Sequence, residues 1–247
     1  MKLQVYKDYD EMSRAAAALI VNTVKQNPGA LLCFPSGDSP AGVFNSLVKY
    51  ARTGEVDFSR CYFVGLDEWV GMGKDDEGSC TYSLYQSFFE PLEIDTDRMF
   101  FFDARAADLD SSCRVMDSFI KEHGPLEIMM VGVGMNGHIG LNEPGTDFNL
   151  YAHHAPLAQT TIDVGQKYFK QTTPLRNGIT LGLKHLQEAK ISLLIASGAK
   201  KAEIIAQALE EKVTEQLPAS IFQTLPNSYV LLDSEAATRL SAHIPFR

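Results

Sequence analysis

The stretch Leu126–Gly145, LEIMMVGVGMNGHIGLNEPG, is the most informative part of the sequence about the fold, because it predicts a strand and the loop that follows it. It begins with an apolar run, 126–133, that predicts a buried strand. Five of the fifteen residues 131–145 are glycine, and Pro144 stands near the end. Glycine weakens helices and strands, and proline lacks a backbone donor, so neither element can continue here. The stretch therefore predicts a strand that ends in a shaped loop, which is where α/β proteins bind ligands.

The predicted loop holds one histidine, His138, and one carboxylate, Glu143. Gly132, Gly134 and Gly137 satisfy the pattern G-x-G-x-x-G, but a dinucleotide site requires a helix directly after the third glycine. Here HIGLNEPG follows, which cannot open a long helix, so a nucleotide site is disfavoured. A loop in which the glycines serve only the turn, with His138 as a bystander, stays open as an alternative.

Length and charge limit the class of protein. The 247 residues fit one large α/β domain, 1–247, with a sizeable core. The formal net charge of -9 argues against a nucleic-acid or membrane-surface protein, because no cluster of lysine and arginine offsets the acidity. A small molecule is the expected partner, and homo-oligomer formation is left open.

The cysteines and the N-terminus indicate a reducing compartment. Cys33, Cys61, Cys80 and Cys113 form no C-x-x-C pair, so buried free thiols are expected rather than disulfides or metal ligands. The first residues, MKLQVYKDYDEM, contain no apolar segment typical of a signal peptide, and no run of 18 apolar residues occurs. We therefore expect a cytoplasmic protein that needs neither a metal nor another cofactor.

Strand and helix patterns alternate along the chain. Short apolar runs predict strands at 30–34, 61–66, 98–102, 126–133, 191–196 and 229–232. Helical periodicity predicts helices at 9–26, 41–50, 82–89, 106–121 and 200–211. This alternation predicts a largely parallel sheet covered on both faces by helices. Functional side chains are then expected at the carboxyl ends of the strands.

The first such end is FPSGDSPAG, residues 34–42, between a strand and a helix. Its candidate phosphate ligands are Ser36, Gly37 and Ser39. Exposed amides and the positive end of a helix dipole suit a phosphate, whereas Asp38 opposes one unless its carboxylate turns to solvent. The alternative is a simple helix start with Pro40 at the first helical position.

Two other strand ends carry charge. In GLDEWVGM, residues 65–72, the neighbouring Asp67 and Glu68 point to opposite sides of an extended chain, so at most one faces a pocket. In ASGAKKAEI, residues 196–204, Lys200 and Lys201 lie in the first helical turn, where an anionic ligand would offset their unfavourable interaction with the dipole. A solvated surface pair is the alternative for the two lysines, more so for Lys200.

These ends together predict a pocket for a small phosphorylated substrate that undergoes proton transfer. Two turns suit an anion, one acidic residue ends a strand, and the loop after residue 133 supplies a histidine and a glutamate. His153 and His154 lie in a stretch read as irregular and are interpreted as surface residues.

Four motifs carry a resemblance to a known family: FPSGDSPAG (34–42), LDEWVG (66–71), GMNGHIGLNEPG (134–145) and NGITLGLKHLQEAK (177–190). In order and over nearly the whole chain, they resemble the glucosamine-6-phosphate deaminase family. LDEWV and the last motif most resemble its galactosamine-6-phosphate isomerase branch. The pattern N-G-H-x-G-x-N-E-P-G is highly specific, whereas the related 6-phosphogluconolactonases carry a GxDGHxAS-like version without N-E-P-G.

The resemblance implies a Rossmann-like three-layer α/β/α sandwich of the sugar-phosphate isomerase type. It also implies conversion of a 2-amino-2-deoxyhexose 6-phosphate to a ketose 6-phosphate with release of ammonia. His138 would assist ring opening with Glu143 orienting its imidazole, and Asp67 would move a proton from C2 to C1. The implied phosphate-binding residues are Ser36, Gly37, Asp38, Ser39, Lys167 and Lys201, and the implied residues of the substrate loop are Gly134 and Gly137.

Three departures from the family pattern bear on these expectations. Many deaminases have aspartate where this chain has Asn136, which is expected to join the catalytic group with one carboxylate fewer beside the histidine. Lys167 in GQKYF replaces a phosphate-binding arginine, so it keeps the charge but loses the two-pronged geometry. The chain is also shorter at its C-terminus than the allosteric hexameric members, which leaves effector control open.

Two other classes stay open on sequence alone. A lactonase of the same fold would use the histidine to activate water at a sugar lactone. A non-catalytic domain that senses sugar phosphates in transcription regulators is the third choice, although nothing basic precedes residue 30. The sequence does not choose between glucosamine and galactosamine 6-phosphate, since they differ at one hydroxyl that the pocket geometry must read.

Overall fold

The computed structural model describes residues 1–241, and residues 242–247 of the predicted domain 1–247 lie outside the described part. The strands, in chain order, are β1 Lys2–Tyr6, β2 Leu31–Phe34, β3 Tyr62–Gly65, β4 Asp67–Trp69, β5 Met99–Phe100, β6 Ile128–Val131, β7 His153–Pro156, β8 Asn177–Thr180, β9 Ile191–Ala196 and β10 Ser228–Asp233. The α-helices are α1 Tyr9–Gln26, α2 Ala41–Arg52, α3 Cys80–Leu84, α4 Leu109–His123, α5 Gln159–Gly165, α6 Leu183–Glu188 and α7 Ala202–Glu210.

The main sheet has seven strands in the order β1-β10-β9-β6-β2-β3-β5, and every neighbouring pair is parallel. After β2 the chain builds outward through β3 and β5, and it then returns to β6 and builds the other half of the sheet. The strand order therefore reverses between β2 and β6, and the crevice outside their carboxyl ends is the expected ligand site of such a sheet.

Alternate residues of each central strand pack into two separate hydrophobic cores, one on each face of the sheet. In β2, Leu32 and Phe34 pack with the apolar faces of α1 and α2, whereas Leu31 and Cys33 pack with those of α4, α6 and α7. All four side chains are at most 1% exposed. Burial of a large apolar side chain contributes about 1.5 to 3 kcal/mol, so both faces of the sheet are needed for stability. The predicted three-layer α/β/α sandwich is confirmed.

A second sheet was absent from the sequence-based expectation. β4, β8 and β7 form a three-stranded antiparallel sheet beside the main one. His153 and His154 open β7, so their assignment to an irregular stretch is wrong; His154 also pairs with Asp110 at 3.3 Å. The strands of this sheet have only three or four residues each, and a proline ends β7, so their apolar pattern is too short to detect.

Most predicted elements of the main sandwich match the structure to within a few residues, including α1 and β9, whose bounds agree fully. The strand β1 and the helices α5 and α6 were missed. Pro40 precedes α2 as its N-cap residue rather than lying at the first helical position. No helix among residues 1–241 is long and apolar enough to cross a membrane.

Candidate active site

A cleft of about 1170 Å³ opens at the carboxyl edge of the main sheet. It is walled by the segments that follow β2, β3, β6 and β9, together with α5 and the 3-10 turn Gln166–Tyr168. These are the segments that carry the candidate residues from the sequence. The cleft therefore lies at the point where the strand order reverses.

Asp67 and Glu68 begin β4 in the second sheet, so the prediction that they end a strand is wrong, because β3 already ends at Gly65. The two residues point to opposite sides of β4, as their spacing predicted. Glu68 is 1% exposed and accepts three hydrogen bonds of 2.9 Å, from the backbone N–H groups of Trp69, Cys80 and Thr81. Its carboxylate thus holds the start of α3 against β4. Asp67 lines the cleft instead. Of the two acids, only Asp67 is placed to meet a ligand.

The environment of Asp67 makes its carboxyl group a weaker acid than an ordinary aspartate. Burial, and secondarily the nearby charge of Glu68, raise the pKa of Asp67 to about 7, against the opposing effect of a hydrogen bond from the Cys80 thiol. A group with a pKa near neutrality can both accept and return a proton at physiological pH, which suits a general base that acts as a shuttle.

The glycines beside His138 give its imidazole the space that it occupies. The ring lies directly on the backbone of Gly134, where a Cβ atom would stand 2.2 Å from the ring atom Cε1. Gly137 has a φ of +83°, and a Cβ there would lie 2.2 Å from Leu217 Cδ1. Side chains at Gly134 and Gly137 would therefore displace the histidine or the loop that carries it.

Glu143 stands behind the histidine as an ionised carboxylate. One oxygen accepts from Asn136 Nδ2 at 2.8 Å and the other from the backbone N–H of Ala158 at 3.2 Å. Although burial works to raise the pKa of Glu143, the neighbouring side chains of His138, Thr161 and Asn136 lower it to about 2. The distance from Glu143 Oε2 to His138 Nδ1 is 3.6 Å, so the carboxylate faces the ring at slightly more than hydrogen-bonding range.

Asn136 is bound to both catalytic candidates of the loop. Its Oδ1 accepts the backbone N–H of His138 at 3.2 Å, while its Nδ2 donates to Glu143. The amide therefore serves as a link between the loop backbone and the carboxylate. An aspartate in its place would bring a second negative charge next to Glu143.

The turn after β2 presents free amides to the cleft. Within residues 1–241, the backbone N–H groups of residues 36–39 have no acceptor. The hydroxyl of Tyr9 lies 3.0 Å from the carbonyl oxygen of Asp38 and 3.2 Å from that of Ser39, which holds the turn from the side of α1. Gly37 has a φ of +101°, a conformation that favours glycine.

The two candidate lysines line the same cleft as this turn. Lys167 forms an ion pair of 2.6 Å with Asp38. Lys201 donates to the carbonyl oxygen of Val133 at 2.6 Å, and burial followed by the charge of Lys167 lowers its pKa. Mutual repulsion of the two ammonium groups indicates a place where an anion would be stabilised.

The turn after β9 is different from what the sequence suggested. The backbone N–H of Gly198 donates to both carboxylate oxygens of Asp233 at 3.0 Å, and that of Ala199 donates to Glu235 at 3.3 Å. These amides are occupied by the protein itself. Lys201, from the same turn, also lines the cleft.

Three cleft residues were missed by sequence reasoning. Thr161, from α5, places its hydroxyl 3.1 Å from His138 Nδ1. Tyr168 lies over Gly37, and Cys80 lies beside Asp67. An isolated threonine, tyrosine or cysteine far along the chain gives no local signal, because its role depends on a contact that only the tertiary fold creates.

The fold and the site place the chain among enzymes of sugar phosphates. Residues 7–230 match the family model described as "Glucosamine-6-phosphate isomerases/6-phosphogluconolactonase". A 6-phosphogluconolactonase structure from Leishmania guyanensis has a TM-score of 0.78 over 98% of this chain and 99% of its own, but at 18% identity it demonstrates the shared fold alone.

Nearer relatives narrow the class. A glucosamine-6-phosphate deaminase from Bacillus velezensis is 36% identical over 96% of this chain and 99% of its own length. A solved structure of a monomeric glucosamine-6-phosphate deaminase has a TM-score of 0.93 and 32% identity, covering 97% of this chain and all of the other. The chain therefore belongs to the glucosamine-6-phosphate deaminase family.

Proposed function

We propose that this protein converts a 2-amino-2-deoxyhexose 6-phosphate, glucosamine or galactosamine 6-phosphate, to a ketohexose 6-phosphate and ammonia. One observation supports this proposal most strongly. Asp67, whose carboxyl group has a pKa of about 7, lines the same cleft as His138 and the turn at residues 36–39. An aldose-to-ketose isomerisation needs a base at one carbon and a separate acid–base group at oxygen.

In the proposed reaction, His138 first opens the sugar ring. Its imidazole accepts the proton of the anomeric hydroxyl and delivers a proton to the ring oxygen as the C1–O5 bond breaks. Glu143 stabilises the imidazolium that forms in between, because its ionised carboxylate faces Nδ1 at 3.6 Å. Asn136 keeps that carboxylate in place.

Asp67 then moves one proton between neighbouring carbons. The carboxylate takes the proton from C2 of the open aldehyde, giving an enolamine, and it returns the proton to C1. The product of this shift is an imine at C2, which adds water and releases ammonia to leave the ketone. A pKa of about 7 supports both halves of the transfer at neutral pH.

The 6-phosphate is assigned to the turn at residues 36–39. Its free amides and the N-terminus of α2 provide neutral donors, while Lys201 and Lys167 provide charge. Asp38 takes part by pairing with Lys167 rather than by facing the anion with its carboxylate. A bound phosphate is expected to compete with Asp38 for this lysine.

Three substrates test the proposal: glucosamine 6-phosphate, galactosamine 6-phosphate and 6-phosphogluconolactone. Incubation of the purified protein with each, with ammonia and acid release assayed in parallel, should give ammonia from at least one hexosamine phosphate. Asp67→Asn serves as the inactive variant, and Asp97→Asn, on the exposed turn before β5, as the matched control. Acid release from the lactone without ammonia from either amine would replace the deaminase by a lactonase.

A further inference from the structure

The side chain of Thr161 joins two parts of the cleft that are distant in sequence. Thr161 is 4% exposed and belongs to α5, while His138 and Glu143 belong to the loop after β6. Its Oγ1 lies 3.1 Å from His138 Nδ1, closer than the 3.6 Å between that nitrogen and Glu143 Oε2. The hydroxyl also lies close enough to Glu143 to help lower the pKa of its carboxyl group. The nearest polar partner of the imidazole is therefore a hydroxyl.

The number of hydrogens in this cluster fixes the direction of each bond. An ionised carboxylate can only accept, and a hydroxyl has one hydrogen to donate. If Thr161 donates to Glu143, its oxygen is left to accept a hydrogen from His138 Nδ1. If it donated to Nδ1 instead, its lone pairs would face the carboxylate, which is unfavourable at low dielectric.

The other ring nitrogen is left for the substrate. Among residues 1–241, Nε2 of His138 has no hydrogen-bond partner, and the residue lines the cleft. The ring occupies the space beside Gly134, where a Cβ atom would stand 2.4 Å from both ring nitrogens. With its hydrogen on Nδ1, the neutral imidazole presents an unprotonated Nε2 to the cleft.

We propose that Thr161 is a positioning residue that fixes His138 in the tautomer with hydrogen on Nδ1, so that Nε2 is the base that meets the substrate. Thr161 touches neither the reacting atoms nor the phosphate in this assignment. It acts through the imidazole, in the way that an orienting group acts in other acid–base pairs.

The tautomer can be measured without any substrate. In protein labelled with 15N-histidine, long-range 15N–1H correlation on the neutral ring should show a protonated Nδ1 and an unprotonated Nε2. Thr161→Val keeps the shape but removes the hydroxyl, and a mixture of the two tautomers is expected. Thr161→Ser should retain the wild-type signature. A wild-type ring with hydrogen on Nε2, or an unchanged tautomer in Thr161→Val, would overturn the assignment.

The kinetic consequence rests on the proposed function. With the substrate that releases ammonia, Thr161→Val should lower kcat by about 10- to 100-fold, part of the full contribution of an acid–base group, while KM stays within about twofold. Thr161→Ser should recover most of the loss. Thr23→Val, which removes another buried hydroxyl far from the cleft in α1, is the matched control.

The two measurements separate the two hypotheses. Equal impairment by valine and serine, or a rise in KM alone, would assign Thr161 to packing and contradict the positioning role. Absence of ammonia from every hexosamine phosphate would remove the proposed function but leave the tautomer result standing, because that result is read from the free protein.

Discussion

Two turns of this molecule have the same local structure but differ in whether their backbone amides are hydrogen-bonded. The open turn, residues 35–40, and the filled turn, residues 197–201, each link a buried parallel strand to a helix through a glycine with positive φ. The open turn leaves its amides without acceptors among residues 1–241. In the filled turn, Asp233 and Glu235 occupy the amides of Gly198 and Ala199.

The difference shows that a turn with exposed amides can bind an anion only if no acceptor of the protein already occupies those amides. Such a turn attracts any acceptor that the fold brings near, whether a ligand or the protein's own carboxylate. Asp233 ends β10, the strand beside β9, so the parallel register itself delivers a carboxylate to Gly198. At the open turn the neighbouring strand β6 ends at Val131 and is followed by Gly132, which has no side chain to deliver.

The largest expected effect tests whether chemistry occurs beside the open turn at all. Asp67→Asn should lower deamination by more than about 10³-fold while sugar-phosphate binding stays within a few-fold, because an amide cannot accept the C2 proton. Solvent deuterium should no longer enter C1 of the product. Near-normal turnover would point to another base, with Glu68 the first to test.

The same substitution should stabilise the fold at alkaline pH. The folded pKa of about 7 lies above the ordinary aspartate value of 3.8, so Asp67 favours the folded state below pH 4 and loses that contribution as the pH rises through 7. Asp67→Asn should therefore raise Tm at pH 8 by about 2 to 4 °C for each kcal/mol recovered, and leave Tm near the wild-type value at pH 3.5. A lower Tm at pH 8 would contradict the burial argument.

The pH profile is the next test. Since the base must be deprotonated, kcat should fall about tenfold for each pH unit below a midpoint near 7. The Cys80 thiol lowers the pKa of Asp67 by hydrogen bonding, so Cys80→Ala should move this midpoint upward and Cys80→Ser should hold it. A midpoint near 4 in the wild type would mean that Asp67 is better solvated than its burial indicates.

Lysines of the filled turn should differ in importance. Lys201→Ala should raise KM for the phosphorylated sugar by more than about tenfold, or roughly 1.5 to 3 kcal/mol for a lost charge-assisted contact. Lys200→Ala, its exposed neighbour, should stay within about threefold. Equal effects of the two substitutions would show that the turn contributes general positive charge rather than one directed contact.

A matched pair of glycines compares the turns directly. Gly37→Ala and Gly198→Ala both place a methyl group at positive φ and should each destabilise the fold by about 1 to 2 kcal/mol. The new methyl at Gly37 would lie 2.9 Å from Tyr168 Oη, whereas nothing lies within 4 Å at Gly198. We expect KM to rise about tenfold only in Gly37→Ala. Steady-state kinetics and thermal unfolding of both variants measure the two effects separately.

The smallest effect concerns the carboxylate that fills the second turn. Glu235→Gln removes one negative charge from the cleft wall and keeps an acceptor for Ala199. KM for the sugar phosphate should fall by about twofold, and the gain should vanish at high ionic strength. A rise in KM would mean that Glu235 itself binds the substrate.

Much of the main sandwich could be predicted because its signals are local. Runs such as 191–196 are almost entirely apolar, and Asp8, the N-cap residue before α1, accepts a hydrogen bond from the backbone N–H of Glu11. The second sheet could not be predicted in this way, because its short strands are stabilised by pairing between residues far apart, such as Glu68 with Ile179. Hydrophobic periodicity cannot be recognised in segments of three or four residues.

The features of the candidate site also divide into those that the local sequence predicts and those that it does not. The sequence by itself determined that Asp67 follows a buried strand, that Glu68 faces away from it, and that His138 and Glu143 share a glycine loop, because each follows from spacing and backbone preference within a few residues. Only the tertiary structure decided which turn keeps its amides free, that Lys167 crosses to Asp38, and that Thr161 meets His138. Those outcomes depend on groups brought together from distant parts of the chain, where packing and burial, rather than local propensity, set the free energy of each contact.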